Sequence, residues 1–254
     1  MKCWCWLLLL FCSTAWSHPL IRVGGYPYAP FVVKESENRY RGLTLDLISA
    51  LNEVQQEVRF VLSPPRATYR YQALALGRFS LMLFEDIRWN WDAEQVHMTP
   101  PLLLGGEIYV ALKVPGRDQT FFEHIDQAQA YRRHRLSLWI CRLQCQCGTR
   151  SSSAFASRWW KDSATAIQGL FKERGEVAIL NLAYLNQFSQ QYPELATQLL
   201  RSDKWDQQYE LRALLSPTAD ISTRQLETWL AELKKSGTLA RLWTKYGVQH
   251  QAAP

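Results

Sequence analysis

The first half of the chain alternates the patterns of β-strands and α-helices, and this alternation constrains the fold more than any other feature. A β-branched strand is predicted at 20–23 and a helix at 43–54, where apolar residues recur at the spacing i, i+3, i+4 and i+7. A strand at 58–62, a helix at 69–76 and a strand at 79–83 follow. This order predicts an α/β fold with a mostly parallel sheet flanked by helices.

The loops after these strands are the predicted walls of a ligand pocket, because ligands bind at the carboxyl ends of the strands in such sheets. The loops at 26–31, 63–71 and 84–91 are rich in aromatic and charged residues. The candidate ligand-binding residues in these loops are Tyr26, Tyr28, Arg66, Tyr69, Tyr71, Glu85, Arg88, Trp89 and Trp91. Aromatic planes can bind a cation beside a carboxylate, or a planar acid or sugar beside an arginine. For each single aromatic residue, ordinary packing is the alternative.

A second unit begins near Gly116. It contains a predicted helix at 164–175 and a buried strand at 177–182, followed by a further helix or turn. Asn181 and Tyr184 lie at the end of that strand and are the candidate ligand-binding residues of this unit. The alternative for both is a solvated strand terminus.

The chain is predicted to return to the first unit at 213–216 and to end in helices within 221–246. Ser222 is the predicted N-cap of these helices. An apolar stripe at helical spacing is predicted to pack in the core, and it consists of Leu226, Trp229, Leu230 and Leu233. The predicted boundaries are 1–17 for a signal peptide, 18–114 with 213–254 for lobe I, and 115–212 for lobe II. The chain crosses twice between these two units, near 112–116 and 210–216.

The N-terminus has the pattern of a cleavable export signal. Lys2 precedes an apolar run at 3–12, and small residues at 13–17 allow cleavage before His18. The run is about half of the ~20 residues that a membrane-spanning helix needs, although an uncleaved anchor is the alternative. The predicted location is therefore the periplasm. The net charge of +6 is spread among acidic residues without an arginine-rich tract, which argues against nucleic-acid binding.

Several segments, in order along the chain, resemble the amino-acid type of extracellular solute-binding proteins, family 3, which supply ABC importers. They are Tyr28-Ala29-Pro30-Phe31 and the segments at 41–47, 74–79, 98–102, 175–177 and 226–240. The resemblance implies a two-lobed, type II-like periplasmic-binding-protein fold that closes by hinge motion on a small ligand. It also implies an ABC permease or a membrane sensor as partner, a monomer, and no cofactor or metal. Thr99, in the fourth segment, is a further candidate ligand-binding residue.

The resemblance fails at the residues that would hold an α-amino acid. Family members bind the α-carboxylate with an arginine where this chain has Asp92, and the nearest arginine upstream is Arg88. Ala178 and Ala183 stand where the resemblance places acidic residues, of which the second would bind the α-ammonium. A zwitterion without charged partners is costly to bury. Either Arg88 and a different acid hold the ligand, or the ligand is not an α-amino acid, and the second reading is favoured.

Two features leave alternatives open. Cys141, Cys145 and Cys147 have no fourth ligand nearby, which argues against a closed zinc site. Two hypotheses remain: one disulfide with one free thiol, or a reading-frame error across 139–153. The fold is also used by exported cyclohexadienyl or arogenate dehydratases, for which Glu85 or Asp86 would be the acid. No hydrolase, metalloprotease or phosphate-binding motif is present in the sequence, so a binding protein is preferred over an enzyme.

Overall fold

A computed structural model describes residues 18–123, 130–133, 158–160 and 162–248. The predicted signal peptide and the cysteines Cys141, Cys145 and Cys147 lie outside the described residues, as does the whole 139–153 segment. Among the described residues, no helix has the length and apolar character that crossing a membrane requires.

The secondary structure follows the predicted alternation. The earlier elements are β1 (Leu20–Gly24), β2 (Val33–Lys34), β3 (Tyr40–Arg41), α1 (Leu43–Val54), β4 (Arg59–Ser63), α2 (Arg70–Ala75), β5 (Leu81–Glu85), β6 (His97–Met98) and β7 (Leu103–Leu112). The later elements are β8 (Ala130–Arg133), β9 (Arg158–Trp160), α3 (Ser163–Phe171), β10 (Val177–Asn181), α4 (Leu182–Gln191), α5 (Pro193–Thr197), β11 (Leu199–Leu215), α6 (Thr223–Lys235) and α7 (Thr238–Lys245). Strand β5 begins two residues later than predicted.

The strands are ordered β4-β1-β5-β11-β7-β10-β8-β9. Strand β1 is parallel to β4 and β5, and β8 is parallel to β9 and β10. Strands β7 and β11 are antiparallel to each other and join the two parallel groups. The predicted mixed α/β architecture, with a mostly parallel group of strands in each lobe, is confirmed.

Helix α1 has the predicted bounds and fixes the position of the first candidate loop. Its first two amides, from Leu43 and Thr44, donate to the carbonyl oxygens of Pro30 and Phe31 at 3.1 and 2.9 Å. The preceding Gly42 has a φ of 127°, and a Cβ there would lie 2.4 Å from the Phe31 carbonyl oxygen. Only glycine fits this conformation and this close approach. The loop at 26–31 is thus held against the N-terminus of α1.

The C-terminal helices confirm the predicted cap and stripe. Ser222 Oγ accepts from the Gln225 amide at 3.2 Å, in a capping box with the Gln225 side chain. The stripe residues are all buried, and Trp229 meets Phe60 of β4 edge-on, with ring centroids 5.8 Å apart. Helices α6 and α7 pack against α1, so the C-terminus of the chain completes the core of lobe I.

The long strand β11 was not predicted from the sequence, which gave 213–216 only as the return of the chain to the first unit. The register of β11 against β7 shifts between Arg201 and Trp205 and again between Trp205 and Gln207. These irregularities break the alternation of apolar and polar residues by which a strand is recognised. Both strands contribute side chains to two separate hydrophobic cores. Leu103 of β7 and Tyr209 of β11 belong to the first core, and Ile108 of β7 and Leu199 of β11 belong to the second. The exact lobe boundaries at 114 and 212 stay a prediction.

Candidate functional site

A cavity of about 1170 Å³ lies between the loop after β1 and the helices α3 and α4. From lobe I its wall includes Tyr26, Tyr28, Arg70 and Trp89, and from lobe II and the joining strands it includes Glu107, Ser163, Ile167, Tyr184, Phe188 and Gln207. Four of the predicted residues therefore share one wall: Tyr26, Tyr28, Trp89 and Tyr184. The predicted location of the pocket, at the carboxyl end of β1, agrees with this cavity.

The aromatic residues of the cavity hold one another in place. Tyr28 stacks on Phe31 with ring centroids 5.3 Å apart, and Trp89 meets Tyr28 edge-on at 6.1 Å. Trp89 also packs edge-on against Tyr209 of β11 at 5.1 Å. Tilted and edge-on contacts of this kind fix ring orientation. The cavity thus offers ordered aromatic faces to a ligand.

Asn181 links the two lobes behind the cavity. It is 1% exposed, and its Oδ1 accepts from the Tyr184 amide at 3.2 Å, which caps α4. Its Nδ2 donates to Tyr28 Oη at 2.9 Å and also to Tyr209 Oη. The two tyrosine hydroxyls are 2.9 Å apart. Asn181 therefore connects a loop of lobe I, a helix of lobe II and a joining strand, and does not lie on the wall of the main cavity.

We expect Asn181→Ala to lower the free energy of unfolding by about 1–2 kcal/mol, chiefly through the lost cap of α4. Denaturant unfolding would measure the change. Asn181→Ser is the matched control, because serine is also a good N-cap residue, and it should retain most of the stability. Equal losses in both variants would mean that the link to Tyr28 and Tyr209, and not the cap, carries the stability.

A buried ion pair adjoins the cavity. Arg70 Nε lies 3.3 Å from Glu85 Oε2, and both side chains are at most 3% exposed. The guanidinium carbon of Arg70 lies 4.3 Å from the ring centroid of Tyr71, 5.2 Å from that of Tyr26 and 5.8 Å from that of Trp91. Trp91 Nε1 donates to the same carboxylate oxygen at 2.7 Å. These aromatic and carboxylate side chains surround the chain's own Arg70 rather than a ligand. The candidates Tyr71, Glu85 and Trp91 do not line the cavity.

The same burial sets the protonation of this cluster. Burial raises the pKa of Glu85, while the neighbouring Arg70 opposes that rise. Burial raises the pKa of Tyr71 to about 12, and burial together with the negative charge of Glu85 raises that of Tyr26 well above its ordinary value. Both phenols are therefore neutral at physiological pH and remain hydrogen-bond donors; Tyr71 Oη donates to the Trp89 carbonyl oxygen.

Arg88 is not among the residues that line the cavity. Its Nη2 lies 2.6 Å from Asp86 Oδ2 and donates to the Gln208 carbonyl oxygen at 3.0 Å. The Asp86 carboxylate also accepts from the Glu210 amide at 2.8 Å, so this pair ties the end of β5 to β11. The possibility that Arg88 replaces the arginine missing at Asp92 gains no support from this geometry.

Three further candidates lie off the cavity wall. Thr99 is buried, with its Oγ1 accepting from the Ala213 amide at 3.1 Å and donating to the Pro100 carbonyl oxygen at 2.9 Å. Arg66 is exposed and Tyr69 is 56% exposed, beside the start of α2. Thr99 thus connects β11 to the segment before β7, whereas Arg66 and Tyr69 face solvent.

Several residues of the wall were not predicted from the sequence. Gln207 Nε2 donates to Glu107 Oε2 at 2.8 Å across the paired strands β7 and β11. The two residues of this pair are one hundred positions apart, so no local sequence pattern predicts their contact. Ser163 could have been predicted as the first residue of a helix, since Asp162 before a helical apolar pattern is a typical N-cap.

Solved structures of known proteins share this architecture, although no protein-family model and no curated protein sequence matches the chain. An ancestral amino-acid-binding protein, a precursor of cyclohexadienyl dehydratase, is 17% identical with a TM-score of 0.64 over 89% of this chain and 94% of that one. A putative ABC-transporter binding component from Wolinella succinogenes, complexed with lysine, is 18% identical with a TM-score of 0.67, over 91% and 96% of the two chains. The chain has the two-lobed periplasmic-binding-protein fold.

The same fold occurs in proteins with a signalling role. A histidine kinase sensor domain with similarity to periplasmic binding proteins is 16% identical to the chain, with a TM-score of 0.66 over 92% of this chain and 98% of that domain. Identities this low establish the periplasmic-binding-protein fold and leave the ligand to be argued from the site itself. The fold implied by the sequence resemblance is confirmed.

Proposed function

We propose that the protein is an exported solute-binding protein that captures a small polar ligand between its lobes. The observation that carries this proposal is the cavity of about 1170 Å³, whose wall takes aromatic and polar side chains from both sides. The predicted signal peptide at 1–17 directs the protein to the periplasm, where it acts as a monomer. It delivers the ligand to an ABC permease or presents it to a membrane sensor, and similar structures include proteins of both kinds.

The ligand is proposed to be something other than a standard α-amino acid. Asp92 is exposed and caps a short 3-10 helix by accepting from the Glu94 amide at 3.0 Å. Ala178 is fully buried within β10. Arg88 is paired with Asp86 and is not among the residues that line the cavity. None of these three offers the paired charges that an α-carboxylate and an α-ammonium need when they leave water.

A thermal-shift screen of the protein from residue 18 to 254 tests this proposal. The panel holds amino acids, polyamines, aromatic acids and sugars, added to protein that has been unfolded and refolded to remove bound ligand. A ligand at 100 times its Kd stabilises by about 2.7 kcal/mol, which raises the melting temperature by roughly 5–11 °C for a chain of this size. A standard amino acid that gives this rise would contradict the ligand class, and no rise with any compound would contradict solute binding.

A dehydratase on the same fold is the second candidate. The observation in its favour is Glu85, a buried acid beside the cavity whose pKa burial raises. Against it, the Glu85 carboxylate is engaged by both Arg70 and Trp91. Incubation with prephenate or arogenate decides between the two: turnover that Glu85→Gln abolishes would support an enzyme, and stoichiometric binding without turnover would support a solute-binding protein.

A further inference from the structure

Two residues of the cavity wall have a buried polar atom that makes no hydrogen bond. Among the described residues, two buried side-chain atoms lack a hydrogen bond, Arg70 Nε and Ser163 Oγ, and both residues line this cavity. Arg70 Nε is in ion-pair contact with Glu85, whereas Ser163 Oγ has no hydrogen-bond partner among the described residues. Buried polar groups are nearly always satisfied in native proteins, so each such exception calls for an explanation.

Ser163 is the first residue of α3, a helix of nine residues, and is 1% exposed. The first amides of a helix have no partner within the helix. Asp162 Oδ1 accepts from the Thr165 amide at 2.8 Å and from Thr165 Oγ1 at 2.9 Å. The helix itself therefore provides no partner for the amides of Ser163 and Ala164, which lie at the positive end of the helix dipole beside the Ser163 hydroxyl.

The unpartnered groups at the start of α3, a hydroxyl and two amides, can all donate. Two acidic residues of the wall already accept hydrogen bonds, Asp162 from Thr165 and Glu107 from Gln207. A ligand group placed against Ser163 must therefore supply acceptor atoms. A carboxylate offers more acceptor capacity than any neutral group of its size, and the helix dipole favours its charge.

We propose that Ser163 Oγ and the amides of Ser163 and Ala164 form a subsite for a carboxylate group of the ligand. This assignment rests on the proposed solute-binding function and narrows it to small carboxylic acids. The planar part of such an acid would pack against the aromatic wall of Tyr28, Trp89 and Tyr184.

Titration with benzoate, followed by the backbone amide resonances of isotope-labelled protein, tests the subsite directly. Benzamide, which has the same shape and no charge, is the matched probe. We expect benzoate to shift the amide resonances of Ser163 and Ala164 until they saturate, and benzamide to shift them less. Ser163→Ala should weaken benzoate binding roughly tenfold, because it removes one hydrogen bond to a charged group. Unchanged amides with benzoate, or equal affinity in Ser163→Ala, would overturn the assignment.

The stability of the variant separates a binding role from a structural one. Ser163→Ala removes a hydroxyl with no described partner, so its unfolding midpoint should equal or exceed that of the parent protein. Ser189→Ala is the control, because Ser189 Oγ donates to the Leu185 carbonyl oxygen at 2.8 Å and its loss should lower the midpoint. A lowered midpoint in Ser163→Ala would show a structural partner and overturn the subsite.

The outcomes also separate this subsite from the broader function. If the thermal-shift screen finds a solute and Ser163→Ala binds it as tightly as the parent protein does, the subsite would be contradicted and solute binding would stand. If benzoate binds and Ser163→Ala weakens that binding, but no other compound of the screen stabilises the protein, the subsite would be retained and the proposed function would be contradicted.

Discussion

Replacing Arg70 with methionine should lower the free energy of unfolding by about 3–5 kcal/mol at neutral pH, since removing one partner of a buried ion pair leaves the other charge uncompensated. Glu85 would then be a buried carboxylate whose remaining described donors include Trp91 Nε1, at 2.7 Å. The melting temperature should fall by roughly 6–20 °C, at 2–4 °C for each kcal/mol in a chain of this size. Thermal and denaturant unfolding, followed by circular dichroism, would measure both quantities.

The pH dependence of this variant identifies the cause. Burial raises the pKa of Glu85 above its ordinary value of 4.5, and without Arg70 nothing of opposite charge opposes that rise. The folded state then takes up a proton at a higher pH than the unfolded state, so stability lost above the raised pKa returns as the pH falls through it toward 4.5. The double variant Arg70→Met with Glu85→Gln, in which neither member of the pair carries a charge, should lack this pH dependence. A loss that stays constant from pH 7.5 to pH 5 would contradict the assignment.

Trp229→Ala should cost about 3–5 kcal/mol, the range measured for truncating a large aromatic residue in a core. Trp229 is buried in the stripe of α6 and meets Phe60 of β4, so its removal leaves a void between the C-terminal helix and the sheet. Denaturant unfolding would give the change in stability. The control is Glu232→Ala on the exposed face of α6, which should change stability by no more than about 0.5 kcal/mol. A change below about 1 kcal/mol for Trp229→Ala would show that α6 contributes little to the core.

The cluster of Arg70, Glu85, Tyr71 and Trp91 also affects which ligands the cavity can bind. Glu85 already neutralises a cation, and the rings of Tyr71 and Trp91 already cover it. A cationic ligand at this position would have to compete with a guanidinium that the chain itself supplies. The groups of the lobe II wall that still lack a described partner, at the start of α3, are donors. The proposed preference for acidic ligands follows from these two facts together.

Part of the fold could be predicted from the sequence residue by residue. Helix α1 has the predicted ends, and the Ser222 cap and the α6 stripe lie where they were expected. These features depend on contacts between residues three or four positions apart, or between a cap and the first turn, so the information is local. The loop at 26–31 was assigned to the pocket on the same basis, because its place follows from the end of β1.

Residues that depend on distant partners could not be predicted in this way. Arg70 sits in a helical pattern that gives no sign of its pairing with Glu85, fifteen positions later and in another element. Arg88 and Glu85 were equal candidates in the sequence, yet one faces Asp86 and the other the aromatic cluster.

Local sequence patterns were enough to predict the alternating α/β order, the caps and apolar faces of the main helices, and the loops that border the cavity, because hydrophobic periodicity and capping act over a few residues. Long-range contacts account for the rest: β11 extends from Leu199 to Leu215, Arg70 fills the aromatic cluster, and Ser163 lines the cavity at the start of α3. Those outcomes depend on which long-range pairings bury charge and satisfy hydrogen bonds together, and that choice is made by the whole folded chain.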